Sequence, residues 1–363
     1  MAQICSSTAR TPEGRIDFLQ NHLVGCICFG EISMYRASVG LTTNMKASAT
    51  GWVARNAVEL GVDGIWIGED IGLGQDPFVL AAATLLQSKG IRVGTGIIPI
   101  AVHNITTLAR TAVTLQEIGE GRFVFGAGIG GIQDLQRRGI KIRRPVTALK
   151  EGVDVLRRLW RAENVTRNAE ILHLQDYSLR LKKPVEIPVF LGVRGPQMLK
   201  LAGRIANGVI LSGPFDYLRY AIEVIDKSST EAGRKRDDVE KVVWLPTIPT
   251  FKGMKEKLAK KAVAIVVADM PPPILDMLQL NREKLERIQA KVAANGPKAA
   301  APLIDQEIMD MFAISGNREH MVDLFDQLGE MGATEVVLGP PFSGEWREAM
   351  SEIFEEIALR RGV

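Results

Sequence analysis

Short runs of β-branched and aliphatic residues alternate along the chain with longer stretches whose apolar positions recur at helical spacing. Eight runs read as strands: residues 24–29, 63–68, 92–98, 122–127, 188–192, 208–212, 242–246 and 334–339. The helical pattern between them is explicit. Ile105, Leu108, Ala112, Leu115 and Ile118 form one stripe, with Asn104 placed to cap it. A second helix opens at Pro145, a residue suited to the first helical position, and carries Val146, Leu149, Val153 and Leu156 on one face. The last helix shows Trp346, Met350, Ile353 and Ile357. Strand–helix alternation points to an α/β chain with a parallel sheet. Eight such units predict a closed (β/α)₈ TIM barrel, with an open doubly wound sheet as the alternative, and residues 1–363 as a single domain.

Two insertions break the rhythm. Residues 164–183 read as an exposed hairpin containing His173 and Tyr177. Residues 252–314 are long and helical, with a triple proline at 271–273 and an Asn-Gly-Pro turn at 295–297. This second insertion falls between strands seven and eight, where it stacks over the barrel mouth or extends an interface.

Composition narrows the function classes. The chain has 363 residues, 46% hydrophobic and 24% charged, as expected of a globular protein with a large core. Its net charge of +3 gives no global field to recruit nucleic acid, though it leaves room for a local anion site. No run approaches the roughly 18 apolar residues of a membrane span, and the N-terminus has no apolar leader, so a cytoplasmic protein is expected. Three cysteines, Cys5, Cys26 and Cys28, form no CxxC pair. Four histidines, His22, His103, His173 and His320, lie too far apart for a recognisable metal motif, so no metal is expected. Neither a GxSxG elbow nor a GxxxxGK[ST] loop is present, which disfavours hydrolase and nucleotide triphosphatase chemistry.

In a barrel the chemistry sits at the carboxyl ends of the strands. The second strand ends in Glu69-Asp70, where a carboxylate can accept from a ring N–H or stand as a solvated turn residue. Gly94 and Gly96 face one side of the third strand, marking either close approach by a ligand or a taper of the core. The fourth strand runs into glycines from Gly126 to Gly131, but no helix follows directly, so as a dinucleotide fingerprint it is weak. The fifth gives the strongest signal: PVFLG, then Arg194-Gly195-Pro196 opening a helix. Free N–H groups at that helix start, beside a guanidinium, make an anion site; a tight turn needing glycine is the structural alternative.

Taken together, GVDGIWIGED, IRVGTGIIP, GRFVFGAGIGG, IPVFLGVRGPQMLKLAGRIANGVIL and DQEIMDMFAISGNREHMVDLFDQLGEMGATEVVLGPP resemble the luciferase-like superfamily of flavin- and F420-dependent oxidoreductases. Within it they are similar to the methylenetetrahydromethanopterin reductase group. The stretches run in order from about residue 49 to 341. The resemblance implies an enzyme that transfers hydride between coenzyme F420 and an organic small molecule, such as a methylene-tetrahydropterin-like C1 carrier. It implies that Gly192, Val193, Arg194 and Gly195 hold the cofactor phosphate, that Ile129 and Gly130 line its side chain, and that Gly96–Ile97 is a non-prolyl cis peptide under the deazaflavin. Glu69 joins the cofactor-binding set, and the relatives imply a homodimer or higher homo-oligomer.

Two departures bear on the substrate side. The usual Asp-His after the second strand reads Glu69-Asp70 here, and the expected first-strand glutamate has no counterpart in VGCICFG before Glu31. Proton handling therefore falls to Asp70, His103 or Glu31. Two alternatives stay open: an FMN-dependent luciferase-like monooxygenase, and a non-catalytic flavin- or F420-binding barrel.

Overall fold

The apolar runs form parallel strands, and each pairs with the next until the sheet closes on itself. A computed structural model describes residues 35–70, 74–131, 135–136, 138–278 and 280–362. The barrel strands are β1 (Arg36–Thr42), β2 (Gly64–Gly68), β3 (Arg92–Thr95), β4 (Phe123–Gly128), β5 (Val189–Gly192), β6 (Gly208–Leu211), β7 (Glu240–Pro249) and β8 (Glu335–Gly339). Closure is set by the register Val39↔Leu338 between β1 and β8 and Val243↔Leu211 between β7 and β6. Around this sheet run α1 (Ala47–Asn56), α2 (Pro77–Gln87), α3 (Ile105–Ile118), α4 (Pro145–Trp160), α5 (Pro196–Ile205), α6 (Phe215–Glu231), α7 (Arg318–Glu330) and α8 (Trp346–Arg361). The predicted starts of α3 and α4 hold, and Asn104 Oδ1 accepts from the amides of Thr106 and Thr107 as expected of a cap.

One strand was misplaced. The barrel position given to residues 24–29 belongs to RASVGLT, Arg36–Thr42; residues 24–29 lie outside the described residues. The stretch between the run at 24–29 and the run at 63–68, to which the apolar pattern assigns no strand, therefore contains the first strand itself. One reason it is inconspicuous is Gly40, which stands against the Trp244 ring inside the barrel.

The interior is a filled core of Trp66, Val124, Phe190, Ile210, Val242 and Val337, with Ile97 and Trp244 partly buried above them. Trp244 dominates the upper layer. A Cβ at Gly40, Gly96 or Gly339 would come within 2.3–2.5 Å of its indole, so β1, β8 and the position that follows β3 all need glycine where the ring lies. Gly94 makes the same room for Trp66. Gly94 and Gly96 are thus explained on that face by core packing rather than by ligand approach.

The amino ends of the strands are closed by charge. Glu335, fully buried, accepts from Trp66 Nε1 and pairs with Arg36 and Arg92, while Glu240 bridges the same two arginines. The Arg92 guanidinium lies 5.3 Å from the ring centroids of both Trp66 and Phe190. Burial pushes its pKa down to about 9. The plug holds the end of the barrel opposite the site.

Both insertions form as expected. Val165–Asn168 and His173–Tyr177 pair as an antiparallel hairpin. Between β7 and α7 lie helices Glu256–Ala268 and Arg282–Asn295 and the strand Ile314–Gly316, which pairs with the far end of β7.

Candidate active site

The strand ends meet at one rim, and two clusters there carry groups suited to chemistry. The first joins β2 to the segment after β3. The Glu69 amide donates to Ile97 O at 3.3 Å, binding the two strand ends together. Glu69 Oε2 then meets His103 Nε2 at 2.7 Å, both side chains largely shielded from solvent. Phe78 of α2 packs edge-on against the imidazole, with centroids 5.5 Å apart. The carboxylate takes a hydrogen from Nε2, which leaves Nδ1 as the atom able to give or take a proton.

Glu69, Gly96, Ile97 and His103 therefore form one group. The Gly96–Ile97 peptide is cis, as the resemblance implied. Gly96 rests on Trp244, and the Ile97 side chain crosses toward β4 and β5. A Cβ at Gly128 or Gly192 would stand 2.8 Å or 2.5 Å from it. Gly192 is thus small because Ile97 needs the space. Asp70 is placed through its main chain: its amide donates to Thr43 Oγ1 at 2.8 Å, at the end of β1.

The second cluster is the turn from β5 into α5. Gly195 adopts φ 79° and caps α5, with Pro196 as the first helical residue and no side-chain cap. A Cβ there would meet nothing within 4 Å, so the turn faces open space. The Val193 side chain is buried in the core, leaving only its backbone for a ligand. The Arg194 guanidinium donates to Asp269 O at 3.3 Å and lies 3.6 Å from Asp269 Oδ2. The long insertion therefore reaches the rim, which is one of the two placements expected of it. Ile129 and Gly130, half-buried, follow β4 between the two clusters, Gly130 at φ 92°. Glu31 lies outside the described residues. The true first strand, RASVGLT, carries no carboxylate either.

Sequence reasoning missed Thr43, which fixes Asp70, and Trp244, which forms the floor. An aromatic residue inside the apolar run VVWLPTIP was the available sign of the latter. Grooves elsewhere, of about 290 Å³ between α1 and α2 and about 420 Å³ around Lys284, hold none of the predicted site residues. Among the described residues no group of three or more His, Cys, Asp or Glu is placed to hold a metal ion, and no helix is long and apolar enough to cross a membrane.

A family model described as luciferase-like monooxygenase matches residues 27–335, most of the chain. The chain belongs to the luciferase-like monooxygenase family. This luciferase-like chain is 27% identical over 322 residues to 5,10-methylenetetrahydromethanopterin reductase of Archaeoglobus fulgidus, covering 86% of this chain and 96% of that one. Among solved structures it is similar to the coenzyme F420-dependent tetrahydromethanopterin reductase of Methanopyrus kandleri. That likeness has a TM-score of 0.79 and 22% identity, covering 90% of this chain and 99% of the other. It is also similar, at TM-score 0.64 and 16% identity, to a Baeyer-Villiger monooxygenase component of Pseudomonas putida in complex with FMN, covering 90% and 98%. The (β/α)₈ barrel of the family is the fold found here.

Proposed function

We propose that this chain is an F420-dependent oxidoreductase that moves a hydride between the deazaflavin and a small organic molecule. The observation that carries the reading is the near full-length relationship to a 5,10-methylenetetrahydromethanopterin reductase, over 96% of that relative. Two features of the rim support a cofactor of that kind: the cis Gly96–Ile97 step at the ends of the strands, and a helix start at Gly195 that has no side-chain cap and opens to free space.

The cofactor, when bound, supplies the hydride chemistry; the protein supplies binding, orientation and proton handling. Gly192, Val193, Arg194 and Gly195 bind the phosphate through main-chain amides and the guanidinium. Gly96 and Ile97 support the ring, and Ile129 with Gly130 line its side chain. His103 holds or moves the proton at Nδ1, with Glu69 fixing the imidazole through Nε2. Glu69 is thereby a positioning residue more than a ring acceptor. Asp70 is the second candidate for the proton, held at the rim by Thr43, and Glu31 the third. The substrate is a small molecule of the methylene-tetrahydropterin type. The resemblance supports a cytoplasmic homodimer or larger homo-oligomer.

The family description and the FMN-bound neighbour favour one second reading, an FMN-dependent monooxygenase. Turnover separates the possibilities. Reduced F420 is offered with methylene-tetrahydropterins, oxidised F420 with alcohols and sugar phosphates, and reduced FMN with oxygen, each followed by the cofactor's absorbance. The proposal expects F420 oxidation state to change with at least one substrate. It also expects His103→Gln to lower that turnover by about 100-fold or more while F420 affinity stays within a few-fold. F420 bound with no turnover on any partner favours a binding barrel; turnover only with FMN and oxygen favours the monooxygenase.

A further inference from the structure

Tyr217 stands in the first turn of α6, next to the turn that opens α5, and is fully buried. Its hydroxyl has no hydrogen-bond partner among the described residues. A buried hydroxyl in that state is unfavourable, so it points to a partner that arrives with a ligand. Its surroundings say which kind. The Gly195 amide and the Arg194 charge both act on the phenol, which places the hydroxyl against the start of α5, although the amide's geometry falls short of a hydrogen bond. That helix is ten residues long and has no side-chain cap, so its first-turn amides lack intrahelical acceptors.

The Gln197 and Met198 amides and the phenol are donors here, beside the guanidinium of Arg194, which Asp269 meets on one side only, at 3.6 Å from its Oδ2. Burial pushes the Tyr217 phenol up to about 12, so near neutral pH it keeps its hydrogen. An anion supplies the acceptor that the two amides and the phenol lack. A neutral ligand would leave the positive end of the helix without a counter-charge.

We infer that Tyr217 is a further cofactor-binding residue, donating its hydroxyl hydrogen to the cofactor phosphate seated on the start of α5. This rests on the function proposed above. The Phe variant removes the hydroxyl and keeps the ring, so it tests the hydrogen bond alone.

The experiment compares the full-length chain with Tyr217→Phe. Dissociation constants are measured by fluorescence titration for F420 and for its deazaflavin riboside, which lacks the phosphate, and melting temperature is measured without cofactor. The variant is expected to bind F420 about tenfold more weakly or worse, as for a hydrogen bond to a charged group. It is expected to bind the riboside as the wild type does, and to melt no lower. Equal F420 affinity in both proteins overturns the inference and leaves the proposed function standing. An equal loss for both ligands, or a lower melting temperature, also overturns it, since the hydroxyl would then serve packing. A wild type that binds neither F420 nor FMN overturns both.

Discussion

Replacing Gly40 with alanine tests whether Trp244 is locked as the floor of the mouth. The added Cβ would stand 2.3 Å from Trp244 Cε2, 2.4 Å from Cζ2 and 2.7 Å from Nε1. Carbon atoms in good contact sit about 3.5–4.0 Å apart, so the ring would have to retreat by more than an ångström. It has no path. Cβ positions at Gly96 and Gly339 are already 2.5 Å from the same ring, so the backbone that follows β3 and that of β8 bound it on two further sides. The β1 backbone is fixed between β2 and β8. Gly40→Ala is therefore expected to cost about 1–3 kcal/mol, the range for overpacking a filled core. For a chain of this length that lowers the melting temperature by about 1–4 °C. Trp244→Leu removes the three atoms nearest Gly40, so the double variant should recover about 1–2 kcal/mol relative to the sum of the two single changes. Thermal melts of the three variants, followed by circular dichroism, read this directly. Strictly additive losses, or an unchanged melt for Gly40→Ala, would refute the claim that the indole is wedged between strands.

Two further substitutions probe the ends of the barrel. Glu335→Ala leaves Arg92 and Arg36 facing an empty carboxylate position, and is expected to cost about 3–5 kcal/mol in denaturant unfolding. A loss under about 1 kcal/mol would show that the plug contributes little. Arg194→Ala is expected to weaken cofactor binding by about 1–3 kcal/mol, measured by titration. An unchanged dissociation constant would leave the guanidinium only its contact with Asp269.

The barrel was legible because most of its strands are continuous apolar runs, and because Asn104 and Pro145 mark helix starts in a way local chemistry dictates. The first strand was not. RASVGLT alternates buried Ala37, Val39 and Leu41 with Ser38 and Gly40, because Trp244 lies against Gly40 and Ser38 shares the space at Gly64 with buried Glu335, constraints that appear only when distant strands meet. VGCICF, richer in β-branched and apolar residues, looked the better strand. The site divides the same way. The Gly195-Pro196 turn carries its signature in sequence, and the Gly96–Ile97 step was recognisable by resemblance. The Glu69–His103 pair spans 34 residues and exists because β2 lies beside β3, so no local pattern announces it. Gly96 was open to two explanations, and the side its Cβ would occupy is filled by Trp244 rather than left for a ligand. Tyr217 had no sequence signal, since what distinguishes it is a hydroxyl without a partner inside the fold.

The central claim is that the rim of this barrel is a seat for a deazaflavin carrying a phosphate. Side-by-side equilibrium titration of the purified chain with F420 and with FMN, followed by absorbance and by the mass of the complex, tests it most directly. The account predicts saturable binding of F420, tighter than FMN, and weakened by Arg194→Ala. Tight FMN binding with no affinity for F420 would contradict it.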